Sequence, residues 1–127
     1  MGYQIWKTFT FEASHRLEFV PGEHKCSRLH GHSYQATLTL EGDLEKTDEG
    51  DLEDGSWIID FADVKKVWRE NVHNQLDHRH LNDVEDLEYT TVEEVARWIF
   101  DAIKPKLPQL VRVDLHETDT AGATYSE

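Results

Sequence analysis

Four residues in the first third of the chain carry chemistry by type and spacing. Cys26, His30 and His32 share one short run, CSRLHGHSY, and His15 stands earlier, in FEASHRL. Three imidazoles can hold a metal ion and leave one coordination position open, the arrangement of catalytic zinc; a fourth protein ligand closes the ion and makes it structural. Cys26 is the only cysteine of the chain. Whether it joins the cage or stands beside it decides between the two.

His30-Gly31-His32 is a His-x-His pair. In an extended segment, residues two apart point to the same side, so both imidazoles can reach one ion. Gly31 removes bulk where a metal must approach. His15, near the end of an earlier strand, is placed to supply a third nitrogen. Zinc is the first candidate for three neutral nitrogens, ahead of copper, nickel or iron. Two histidines on a strand face are more often ordinary polar residues, and spacing alone leaves the two readings level. Cys26 is also open to more than one reading. A free cysteine is usually a small buried hydrophobe, and Cys-x-x-x-His suits a closed zinc site. The surrounding EHKCSR is basic and polar, however, and His24, Lys25 and Arg28 make a partly exposed setting that favours the thiolate.

Asp77-His78, in LDHRHLN, is a second constellation. A carboxylate beside an imidazole fixes its tautomer and raises its basicity, although adjacency in sequence does not guarantee a side-chain pair, and a solvated loop is the ordinary reading. His80 and His73 have weaker claims; His73 is expected on the solvent side of a helix. Glu117 ends a strand in HETDT. A carboxylate there can accept two hydrogen bonds from an amidine-like ring edge, as in guanine or pterin, yet by itself it reads as a loop-edge glutamate.

The elements that must position these residues follow from periodicity. Residues 3–11 read as a strand, and 32–41 as a half-buried strand with Tyr34, Ala36, Leu38 and Leu40 on one face. The acidic stretch 41–56 reads as a solvated connection, and 57–59 as a short strand hairpinned to the second. Asp60 is a candidate N-cap for a helix over 61–75, and Thr91 with Glu94 forms a capping box for a second helix closed by Pro105 and Pro108. Residues 110–117 and 121–126 read as the last strands. Consecutive strands with two helices inserted point to an α+β fold, an antiparallel sheet with both helices on one face.

Length and composition bound the rest. A chain of 127 residues suits a single domain over 1–127, and 38% hydrophobic residues can build a core without disulfide staples. Thirteen Lys and Arg against 26 Asp and Glu give a net charge of -13. That argues against a sequence-independent nucleic-acid partner, which needs basic patches. An anionic ligand would need local positive charge from a metal, His24, Lys25, Arg28 or Arg79. The N-terminal MGYQIWKTFTFEASH lacks a secretory pattern and no apolar run is long enough to span a membrane. A cytoplasmic protein with no membrane partner is expected.

Taken together, FEASHRL, CSRLHGHSY, IIDFADVKKVW, LDHRHLN, TVEEVARWIFDAIKP and HETDTAGATY resemble the 6-pyruvoyl-tetrahydropterin synthase and 6-carboxytetrahydropterin synthase family, through nearly the whole chain. Cys-x-x-x-His-Gly-His looks like the carboxy branch, which serves queuosine and other 7-deazapurines; the pyruvoyl branch has a longer gap. The resemblance implies zinc on His15, His30 and His32, and Cys26 as general base. It gives Asp77 and His78 the rest of the proton transfer and Glu117 the anchoring of a pterin, with Thr118 beside it and His24 touching substrate. It also implies a tunnelling fold (T-fold), a four-stranded antiparallel sheet carrying two helices, in trimers stacked as a homohexamer with interfacial sites. The implied substrate is a pterin triphosphate. Asp119 stands where many relatives carry another residue, often cysteine, which bears on fine substrate preference.

Overall fold

Two long antiparallel strands form the spine of the protein. The computed structural model describes residues 2–44 and 57–127. In chain order the elements are β1 (Tyr3–His15), β2 (His30–Gly42), α1 (Phe61–Trp68), a π-helical turn (Arg69–His73), α2 (Asn74–Leu76), β3 (Arg79–His80), α3 (Val92–Ile103), β4 (Leu110–Thr118) and β5 (Ala121–Ser126). The sheet order is β3-β1-β2-β4-β5. β1 and β2 pair without a break from Tyr3↔Gly42 to His15↔His30. Both run past the expected 3–11 and 32–41, because the pairing continues into the histidine-bearing ends.

The α+β reading holds, with two corrections. The sheet has five strands rather than four and is mixed, since β3 runs parallel to β1 through Ala13↔Arg79 and Ser14↔His80. LDHRHLN is therefore no solvated loop: Leu81 is fully buried and the segment is docked on the edge of β1. We expect Leu81→Ala to destabilise the protein by ~2–5 kcal/mol, seen as a lowered midpoint in thermal denaturation; an unchanged midpoint would mean that this docking is incidental. The expected strand at 57–59 is also absent. β2 already pairs with β1 on one side and β4 on the other, so no edge remains for a third partner. Ile58 is buried instead against the end of β2, where its Cγ2 lies 3.3 Å from the place a Cβ on Gly42 would occupy. Most of the acidic connection, residues 45–56, falls outside the described residues.

The helices start where the caps place them. Asp60 Oδ1 accepts the Ala62 N–H at 2.9 Å, and Thr91 Oγ1 accepts the Glu94 N–H at 3.3 Å. The first helical stretch carries Val64, Trp68, Val72 and Leu76 inward, a repeat of four. Each such step overshoots a 3.6-residue helix by about 40°. The π turn adds the residue that returns Val72 and Leu76 to the core line. These side chains meet Val95, Ile99, Phe100 and Ile103 of α3 and one face of the sheet, where Phe11, Tyr34, Leu38, Val113 and Leu115 are buried. Phe9 stacks on Trp68 and Phe11 on Tyr34, each pair with ring centroids 4.8 Å apart. The opposite sheet face is polar, with Thr8 bonded to Thr37 and Asp114 held by Arg112 and Thr124. No helix among the described residues is long and apolar enough to cross a membrane.

Candidate metal centre and its surroundings

Strand register assembles the histidine cluster. His15, the last residue of β1, lies opposite His30, the first of β2, and His32 lies opposite Ala13. Phe11, Ala13 and His15 are buried on the helix side of β1, so the paired His30, His32 and Tyr34 share that side by the pleat. One nitrogen from each of His15, His30 and His32 lies within 4.8 Å of the others. His15 Nε2 is 3.2 Å from His32 Nε2; tetrahedral ligands at zinc–nitrogen distances would stand about 3.3 Å apart.

The far sides of the rings are already committed. His15 Nδ1 is 2.8 Å from the Thr90 carbonyl and His30 Nδ1 is 2.7 Å from the Arg28 carbonyl. A carbonyl only accepts, so each Nδ1 carries a proton, and in the neutral ring Nε2 is then the lone-pair nitrogen. This is the outer hydrogen bonding that orients metal-binding histidines. Burial lowers the pKa of His15, and also that of His32, which favours neutral imidazoles. Three convergent imidazoles fit a borderline divalent ion such as zinc. Tyr34 stands on the core side with its ring centroid 5.5 Å from that of His32. Burial raises its hydroxyl above the usual phenol range, so it stays protonated.

Cys26 lies in a short 3-10 turn, Lys25–Ser27, and is neither exposed nor fully buried. His24 Nδ1 accepts the Cys26 N–H at 3.0 Å, and the Cys26 carbonyl accepts the Leu17 N–H at 2.7 Å. Among the described residues the metal-competent cluster holds the three histidines and not the Cys26 thiol. A closed cage of three histidines and a cysteine is therefore not the geometry present.

Glu117 reaches the cluster through an irregularity in the sheet. β4 and β5 pair His116↔Gly122 and Thr118↔Ala121, so Glu117 is the unpaired residue of a bulge, a device that re-aims a side chain. Gly122 permits it, since a Cβ there would run into the Leu115 carbonyl. Glu117 Oε1 lies 3.5 Å from His32 Nε2. Thr118 is exposed, and its Oγ1 accepts the Thr120 N–H at 3.4 Å.

Asp77 and His78 form a direct pair, which adjacency left open. Asp77 Oδ2 accepts from His78 Nδ1 at 2.8 Å, and Asp77 Oδ1 accepts the Glu12 N–H at 2.9 Å. The Glu12 amide, and after it His78, holds the Asp77 carboxyl below the usual carboxylate range. The His78 N–H donates to the Glu12 carbonyl at 2.6 Å. His78 itself has φ 58, a left-handed conformation that a non-glycine residue keeps only where its surroundings enforce it. Its side chain is 79% exposed. Among the described residues no hydrogen bond or ion pair links this pair to the histidine cluster or to Cys26. His78 lies instead on an open groove of about 1200 Å³, shared with Arg79, Asp83, Tyr89, Arg97 and Trp98, which none of the three histidines lines. His73, expected on the solvent side of a helix and given only a weak claim, is half-buried, and its Nε2 lies 3.4 Å from Asp77 Oδ2.

Fold and cluster together define a small α+β protein with a three-histidine centre suited to a metal. The sequence profile of the 6-pyruvoyl tetrahydropterin synthase family matches residues 4–127. A 6-carboxy-5,6,7,8-tetrahydropterin synthase from Synechocystis is 38% identical over 122 residues, covering 95% of this chain and 91% of that protein. The human 6-pyruvoyl tetrahydrobiopterin synthase is 30% identical, covering 96% and 90%. The solved 6-pyruvoyl tetrahydropterin synthase of Caenorhabditis elegans superposes with a TM-score of 0.84 at 28% identity, covering 98% of this chain and 95% of that one. The chain belongs to the 6-pyruvoyl tetrahydropterin synthase family.

Proposed function

We propose that the protein is a zinc-dependent 6-carboxy-5,6,7,8-tetrahydropterin synthase acting in the cytoplasm in queuosine or 7-deazapurine biosynthesis. It would convert 7,8-dihydroneopterin triphosphate and water to 6-carboxytetrahydropterin, releasing acetaldehyde and triphosphate. The observation that carries the reading is the convergence of three histidine nitrogens with the thiol outside the cluster, a donor set with room for substrate. His15, His30 and His32 would hold zinc, which when bound supplies a Lewis acid for the substrate's side-chain oxygens. Cys26, as thiolate, takes the carbon-bound proton. His78 moves a proton at Nε2, its Nδ1–H being fixed on Asp77. Glu117 accepts from the amidine-like edge of the pterin ring, with Thr118 at its side. His24 uses Nδ1 to fix the Cys26 turn and keeps Nε2 for substrate. His24, Lys25, Arg28 and Arg79 offset the acidic surface toward a triphosphate.

The site is completed between subunits of a homohexamer, a dimer of trimers. This is supported by the exposure of His78 and its separation from the histidine cluster within one chain. Supplying zinc-loaded protein with 7,8-dihydroneopterin triphosphate and identifying the products tests the proposal. Acetaldehyde with a carboxypterin is the expected outcome. A pyruvoyl product would make the protein a 6-pyruvoyl-tetrahydropterin synthase. An untouched pterin, with unfolding on chelation, would make it a zinc-stabilised interaction module.

A further inference from the structure

The proposed mechanism leaves one imidazole of the Asp77 cluster unused. His73 closes the π turn, four residues before Asp77, and its carbonyl accepts the Asp77 N–H at 2.9 Å. Its Nε2 lies 3.4 Å from Asp77 Oδ2, the oxygen that accepts from His78 Nδ1. The contact is a charge contact and not a hydrogen bond: with a proton on Nε2, His73 faces that oxygen with the positive end of its N–H. The other carboxylate oxygen is already taken by the Glu12 amide. The His73 side chain is 37% exposed and that of Asp77 22%, so the contact is partly shielded from water. Single π turns inside helices occur frequently at functional sites. Here the turn keeps Leu76 in the core and ends on the residue that meets Asp77.

We infer that His73 is a positioning residue for the Asp77–His78 pair. It braces the carboxylate oxygen that holds the His78 Nδ1 proton. His78 is thereby kept in the tautomer whose Nε2 is bare and points outward. The inference rests on the proposed proton-transfer role of His78 for its effect on rate, but the tautomer can be read without turnover.

The test uses the full-length, metal-loaded protein with 15N-labelled histidine. In the wild type the His78 nitrogens should show protonated Nδ1 and bare Nε2. His73→Ala should turn this into a mixture of tautomers with a rapidly exchanging Nδ1 proton. It should lower kcat on dihydroneopterin triphosphate about five- to tenfold, below the ~10²–10⁴-fold of a proton-transfer group itself, with KM nearly unchanged. His73→Gln places an amide nitrogen where Nε2 stood and should restore both readouts. A His78 spectrum unchanged in His73→Ala overturns the inference, whatever happens to the rate. A wild type that leaves the pterin untouched would sink the functional reading alone, and the nitrogen spectra would still decide the role of His73.

Discussion

Alanine at His30 is expected to remove metal and turnover together while leaving the fold standing. His30 is the first residue of β2, and with its Nδ1 on the Arg28 carbonyl its remaining nitrogen belongs to the cluster. Two imidazoles do not hold zinc as three do. Removing even an outer partner of a metal-bound histidine costs ~10–100-fold in affinity or activity, so loss of a direct ligand should exceed ~10²-fold. The fold should survive because the buried core, from Phe11 and Tyr34 to Ile103 and Leu115, lies along the sheet and helices beside the cluster and does not include His30. Metal content after gel filtration and a circular-dichroism melt check both halves. Full metal content in His30→Ala would show that the cluster is not the ligand set. The same logic applies to chelation of the wild type, which should still melt cooperatively; unfolding on chelation would favour a metal-stabilised module.

Where one physical cause governed an element, the sequence was enough to read it. The period-two face of β2 and the caps at Asp60 and Thr91 needed only local chemistry, and the structure places them as expected. The segment 57–59 failed because strand propensity says nothing about whether an edge is free, and β4 had taken the one beside β2. The segment 76–82 failed differently. Beyond Leu76, which the helical spacing already turns inward, its polar residues hide a second fully buried leucine, Leu81, and a two-residue pairing that depends on the exposed edge of β1. The π turn did leave a trace, the unbroken spacing of four from Val64 to Leu76, which a 3.6-residue helix cannot keep on one line.

The histidine cluster was the most legible part of the site, because a His-x-His on a strand needs only the pleat to converge and His15 needs only an antiparallel neighbour. The carbonyls of Arg28 and Thr90 that orient the rings were not legible. Backbone acceptors carry no side-chain signature, and Thr90 is 75 residues from His15. Nor was the bulge at Glu117, which depends on how β4 and β5 slip past each other between His116 and Thr118. The contact of His73 was hidden because the expected helix stopped at 75, two residues short of the Asp77 that it meets at i,i+4.

Cys26→Ala is expected to keep the metal and lose turnover, by ~10²–10⁴-fold in kcat, the span of a positioned proton-transfer group. Metal retention follows from the cluster, which the thiol does not join, and the turn around Cys26 is held by backbone and side-chain bonds that alanine leaves intact, from His24, Ser27 and Leu17. His78→Ala should give the same phenotype, metal bound and chemistry lost, though among the described residues no hydrogen bond or ion pair links Cys26 to His78. That separation supplies a sharper test. If the thiol and the imidazole work on one substrate across a subunit boundary, refolding Cys26→Ala chains together with His78→Ala chains should recover part of the activity that each lacks. Sites pairing an intact Cys26 with an intact His78 then form in mixed oligomers. Recovery absent from verified mixed oligomers would mean that each chain carries a whole site. Loss of metal in Cys26→Ala would mean instead that the thiol moves in to close the ion, and the open-site chemistry would fail with it.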